Sequence, residues 1–262
     1  MTIETRPPSA EVLAEYATVP IAFDVRSVFD VVRPSAEAGG LALRERVVDV
    51  PYVKDYDALD GGPAGWPRQF DLSHWGLFVA RETDRVLGGA AVAVDTPGMD
   101  MLEGRPDLAV LWDIRIALDS RGQGVGAALF SAAKTWAAAR GCRWLKVETQ
   151  TVNVPACRFY ARMGCTLGAL HRFAYPDLPD EAQLLWYKPL GPPSERDDAR
   201  LVERSGRRQN APRVGQAEVH APLRIGSHCP ANAGFGCPMQ PPSGAGVRTA
   251  TRLTPTFAPT QI

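Results

Sequence analysis

Residues 108–126 constrain the fold of this chain more tightly than any other stretch: a strand-like run passes directly into a glycine turn, and the turn into an alanine-rich helix. In residues 108–118, Leu108, Val110, Trp112, Ile114, Ile116 and Leu118 face one way and Asp113 and Arg115 the other, the period of a half-buried strand. The turn reads Arg121-Gly122-Gln123-Gly124-Val125-Gly126. Three glycines in six residues let the backbone enter left-handed conformations and approach a ligand closely, while the amides opening the next helix point at it. Val125, Ala128, Leu129, Ala132, Trp136 and Ala139 then recur at helical spacing until Gly141. An anionic ligand at the turn is the first expectation.

The other punctuation divides the chain into a polar lead (residues 1–18), a body (19–190) and a tail (191–262). Within the body, β-branched and aromatic runs at 19–32, 41–50, 74–80 and 85–95 read as strands, the last two as antiparallel neighbours with Gly88-Gly89 as a bulge. Residues 51–73 carry loop chemistry with embedded aromatics, suited to a substrate wall or to surface packing. Residues 144–149 supply a strand, Asn153 caps a second helix with Pro155 in its first turn and Gly164 as its stop, and 165–173 and 183–188 read as strands around a turn that opens with Tyr175-Pro176. Beyond residue 190 Pro, Gly, Ser, Arg and Ala replace any apolar period, and the tail is expected to be disordered.

Composition narrows the partners. Basic and acidic residues balance at 29 each, so no overall field favours nucleic acid or an acidic membrane. The tail holds nine Arg, no Lys and five acids, which leaves residues 1–190 net −4 and weakly suited to a cationic amine. No charged-then-apolar leader and no run of transmembrane length is present, which predicts a cytoplasmic location. Five cysteines without CxxC spacing fit reduced thiols, and His220, His228, Cys229 and Cys237 match no zinc pattern, so no metal is expected.

Two nucleotide readings of the glycine turn fall away. A P-loop ends in Gly-Lys-Ser/Thr, and here Gly126 is followed by Ala127-Ala128. A Rossmann fingerprint opens a βαβ unit, whereas antiparallel strands precede this turn. A second pattern lies downstream, Asn153, Ala156, Phe159, Tyr160 and Gly164 in an Asn-x-x-Ala-x-x-Phe-Tyr-x-x-x-Gly array. With Arg121, Gly124 and Gly126 in a Gln/Arg-x-x-Gly-x-Gly/Ala signature, residues 19–190 resemble the Gcn5-related N-acetyltransferase (GNAT) superfamily. Residues 147–150, the Lys54-Asp55-Tyr56 run and the closing Leu184-Leu185-Trp186-Tyr187-Lys188 resemble the streptothricin acetyltransferase group within it.

The resemblance implies an α/β (α+β) GNAT fold: a mixed, mostly antiparallel sheet of about seven strands, flanking helices and a splayed parallel strand pair. It implies acetyl-coenzyme A as co-substrate and transfer to a primary amine of a small molecule, a streptothricin-type antibiotic in its concrete form, by direct attack in a ternary complex. Acetylation of a protein N-terminus or lysine, a non-catalytic acyl-coenzyme A sensor, and a homodimer stay open. The amides of Gly122, Gln123, Gly124, Val125 and Gly126, with Arg121, would hold the pyrophosphate. The backbone of Ile114 and Ile116, with Asn153 as a secondary contact, would hold the pantetheine arm. An amine arrives protonated, so Glu148 and Asp113 are candidates for the base, with ion pairs to Lys146 and Arg115 as the bland alternative. Tyr160 is the candidate proton donor to the departing thiolate.

Overall fold

The computed structural model describes residues 1–34 and 40–191. Its main sheet has seven strands in the order β1 (Thr2–Arg6), β4 (Gly76–Glu82), β5 (Arg85–Ala93), β6 (Leu108–Ile116), β7 (Trp144–Gln150), β9 (Gln183–Pro189) and β8 (Thr166–His171). Every neighbouring pair is antiparallel except β6 with β7. A separate ribbon pairs β2 (Phe23–Val32) with β3 (Ala42–Lys54), and Phe29 of the ribbon donates its amide to the Thr151 carbonyl just past β7 (2.9 Å).

Two helices, α4 (Val125–Ala138) and α5 (Val154–Arg162), cover one face of the sheet, with Phe130 against the rings of Phe159 and Tyr160. The other face carries α1 (Ala10–Tyr16) and the short helices α2 (Asp57–Asp60) and α3 (Trp66–Gln69). There Trp66, Phe70, Trp75 and Trp112 pack ring on ring, two of the four contacts edge to face and two tilted.

One irregularity in β6 organises the site. Ala91 pairs with Asp113 and Val92 with Leu111, which leaves Trp112 as an extra residue. A bulge of this kind bends the strand and puts two successive side chains on the same face. Trp112 joins the aromatic cluster and Asp113 bonds to Tyr16, both on the α1 face, while Ile114 and Ile116 turn to the α4 face. The unbroken alternation expected from Leu108 to Leu118 is therefore corrected: the period slips at Trp112, and Leu118 lies outside the strand, exposed. Parallel pairing of β6 with β7 runs from Leu108 opposite Trp144 to Leu111 opposite Val147 and stops at the bulge. Beyond it the two strands part, giving the splayed pair.

Residues 1–18, expected as a polar lead, build β1 and α1. β1 is an edge strand with a single core-facing hydrophobe, Ile3, and α1 is two turns long with Ser9 as its N-cap, so neither has the length that makes a pattern legible. Gly89 explains how α1 docks: a Cβ there would lie 2.4 Å from the Tyr16 ring. The bulge expected at Gly88-Gly89 falls at Leu87 beside them. Residues 51–73 are the end of β3 followed by short helical turns, with Tyr56 and Trp66 buried. The disorder expected for the tail concerns residue 191 and positions that lie outside the described residues.

Candidate active site

The glycine turn takes the shape its composition predicts. Gly122 and Gly124 have φ of 74° and 87°, the left-handed region, with nothing within 4 Å of a Cβ placed on either, so dihedral rather than space calls for glycine. Gly124 is the N-cap of α4 and offers no side chain to the helix's opening amides, which begin at Val125 and the buried Gly126. Gln123 donates Nε2 to the Asp119 carbonyl (2.6 Å). Arg121 is half-buried and donates to the carbonyls of Ile116 (3.1 Å) and Ala22 (3.2 Å), clamping the turn between β6 and the entry to β2. Burial lowers its pKa.

Across the gap that opens after Leu111 and Val147, alternation on β7 sorts the chemistry. Leu145, Val147 and Thr149 face the helices; Thr149 meets Cys157 of α5 (3.3 Å) and receives the Trp186 indole N–H (2.8 Å). Glu148 and Gln150 face the other way. Glu148 is buried and accepts from the Tyr175 hydroxyl (2.6 Å), from Gln183 Nε2 (2.7 Å) and weakly from Gln150 Nε2 (3.5 Å). The ion pair with Lys146 does not form: that ammonium bonds to Glu103 (2.6 Å) and to the Met101 carbonyl (2.9 Å). Among the described residues no cation lies within salt-bridge distance of Glu148. Burial, only partly opposed by its donors, raises its carboxyl to about 7.

Asp113 sits on the same face but in different company. Its two oxygens accept from Arg115 (3.0 and 2.7 Å) and from the Tyr16 hydroxyl (2.5 Å). Arg115, wholly buried, also binds Asp57 through two contacts (2.8 and 3.1 Å) and stacks over the Tyr16 ring. The pair expected between Asp113 and Arg115 is thus present, closed on every side. Burial raises the Asp113 carboxyl and the Arg115 guanidinium opposes it.

Tyr160 lies on the opposite face, in α5, fully buried between Phe130 and Phe159. Its hydroxyl is buried and has no hydrogen-bond partner among the described residues. The indole N–H groups of Trp66 and Trp112 share that status in the other cluster; a hydroxyl left this way is available to donate. Burial holds its pKa well above 10, so the proton stays on. Asn153 caps α5, accepting from the Ala156 amide (3.2 Å). Cys157 and Cys165 are pushed up to about 12 by burial, which keeps both as inert thiols. No cluster of His, Cys, Asp or Glu able to hold a metal occurs among the described residues.

A model of the GNAT acetyltransferase family matches residues 51–165. The chain is 34% identical to the streptothricin acetyltransferase of Escherichia coli over 168 residues, covering 63% of this chain and 84% of that protein. It is 38% identical to streptothricin acetyltransferase A of Bacillus subtilis over 167 residues, covering 61% and 86%. The chain belongs to the GNAT acetyltransferase family. A crystal structure of nourseothricin acetyltransferase superposes with a TM-score of 0.57 at 28% identity, covering 73% of this chain and all of that one. As a GNAT enzyme it is an acetyl-CoA-dependent N-acetyltransferase. Three features of the site fit that donor: the strand gap, the open glycine turn at a helix N-terminus, and the unpartnered Tyr160 hydroxyl.

Sequence reasoning missed the groups that hold Glu148. Tyr175 opens a turn and reads as nothing more, and Gln183 is an ordinary strand residue. Gln150 was the legible one, two positions from Glu148 and therefore on its face. Tyr56 and Lys54 meet at a second buried carboxylate, Glu181 (Tyr56 hydroxyl 2.8 Å), at the edge of an open groove of about 600 Å³ between the β2–β3 ribbon and residues 172–182.

Proposed function

We propose that this enzyme acetylates a primary amine of a small, streptothricin-type molecule by direct attack in a ternary complex, with Glu148 as general base and Tyr160 as donor to the leaving sulfur. The observation that carries the reading is the placement, on opposite faces of the sheet, of a buried carboxylate outside any salt bridge on strand β7, which borders the gap after Leu111, and a buried phenol on helix α5, each judged among the described residues and the phenol without a partner there. The relatives named streptothricin acetyltransferases support the acceptor class.

Acetyl-CoA supplies a thioester whose carbonyl carbon is open to attack. The amides of residues 122–126 and the α4 dipole would hold its pyrophosphate, with Arg121 bracing the turn from beneath. The edges of Ile114 and Ile116 left unpaired by β7 would take the pantetheine arm. Glu148, half-ionised near neutral pH, takes a proton from the ammonium. Tyr160 keeps its O–H at any working pH and hydrogen-bonds the developing thiolate, a donation that desolvation of that sulfur makes more favourable. Asp113 holds Arg115 and the bent end of β6.

The test is release of free thiol from acetyl-CoA in the presence of streptothricin, aminoglycosides, polyamines and a lysine peptide. Turnover with streptothricin above the others is expected. Absence of release with every amine would sink the reading.

A further inference from the structure

We propose that Tyr175 is the positioning residue for Glu148: its hydroxyl, carried on the 172–182 connection between β8 and β9, fixes the carboxylate's orientation and favours its ionised form. The inference rests on the reading of Glu148 as base.

Three observations carry it. Tyr175 is buried although it opens a turn, a place where an aromatic side chain ordinarily lies at the surface. Its O–H donates to Glu148 Oε1 at 2.6 Å, the length of a charge-assisted bond, and Gln150 Nε2 approaches the same hydroxyl oxygen at 3.4 Å. The remaining Glu148 oxygen is taken by Gln183 at 2.7 Å, so one donor from the connection and one from β9 pin the two oxygens separately. The polar and charged groups around the carboxylate are Tyr175 from the connection, Gln183 from β9, Gln150 and Lys146 from β7, and Tyr56 with Glu181 farther off. Lys146 is spoken for by Glu103, which leaves Tyr175 the shortest contact that favours the anion.

The same connection lines the groove through Arg172, Phe173, Asp180 and Glu181. One short segment therefore faces the open groove on one side and holds the base on the other. Tyr175 does not touch the reacting atoms in this assignment; it acts through Glu148.

The experiment is the pH dependence of kcat/KM for Tyr175→Phe against the unmodified enzyme, with acetyl-CoA affinity and thermal unfolding measured alongside. Loss of one donor to a carboxylate is expected to move the ascending limb up by about one pH unit, lowering activity about five-fold at pH 7 and less than two-fold at pH 9. Acetyl-CoA affinity stays within about two-fold, because the phenol faces away from the glycine turn's side of the sheet. Gln183→Leu is a second probe, expected to shift the limb in the same direction. A Tyr175→Phe limb that stays in place, with or without a uniform loss of rate, overturns the proposal. Glu148→Gln separates the two levels. If that variant keeps the wild-type limb, the base assignment fails and takes the proposal with it; if it abolishes the limb while Tyr175→Phe leaves it unmoved, only the role of Tyr175 falls.

Discussion

Glu148 and Asp113 show how two buried carboxylates on one sheet face are given different surroundings by their neighbours, the basis for the different roles proposed for them. Asp113 has a guanidinium and a phenol on its oxygens; Glu148 has a phenol and amide donors and, among the described residues, no salt bridge. Glu148→Gln is expected to lower kcat/KM by about 10²-fold or more and to remove an ascending limb centred near pH 7, measured by thiol release across pH. Its raised carboxyl also affects stability. Between the usual 4.5 and about 7 the folded protein holds a proton that the unfolded chain has lost, so this contribution is complete at low pH and lost as pH rises through the folded value. The slope it adds is at most about 1.4 kcal/mol per pH unit, and urea unfolding of Glu148→Gln at several pH values should show it flattened. Tyr160→Phe is expected to lower kcat by about 10–10²-fold with acetyl-CoA affinity nearly unchanged; equal turnover would return Tyr160 to packing.

At the scale of elements, what could be read from sequence was what repeats. The alternation of β6, the period of α4 and the Asn153 cap of α5 all span enough residues, or enough specific chemistry, to be recognised in isolation. What could not be read depends on partners far along the chain. α1 docks where it does because Gly89 leaves room for Tyr16, and Tyr16 reaches Asp113 across 97 positions. The bulge at Trp112 is invisible to a period count, since it is one residue inserted in an otherwise regular run. Of the candidate site, the glycine turn stood out by composition and Glu148 by its strand end, Tyr160 was picked out only through the family resemblance, and the hold of Tyr175 on Glu148 required the 172–182 connection to fold back. Gly124→Ala tests the turn: at φ 87° a Cβ costs about 1 kcal/mol, and the expected result is weaker acetyl-CoA binding with only a small drop in melting temperature. Asn153→Ala removes the cap of α5 and should lower stability by about 1 kcal/mol in chemical denaturation.

For the molecule as a whole, the buried Tyr16, Asp113 and Arg115, together with the partly exposed Asp57, tie α1, β6 and α2 together on one face. Replacing Arg115 by methionine leaves two carboxylates without their cation, and a loss of about 3–5 kcal/mol is expected from urea unfolding. Asp113→Asn, which keeps shape and loses charge, is expected to cost less. The early end of the β6–β7 ladder has a different sort of consequence. Two strand edges stand open in the middle of a sheet, and in the proposed arrangement a donor laid between them would complete the row of hydrogen bonds as an eighth strand made of another substance. The amides of residues 112–116 that face the gap should then exchange with solvent deuterium readily in the free enzyme and slowly once acetyl-CoA is present, while those paired with β5 stay protected in both.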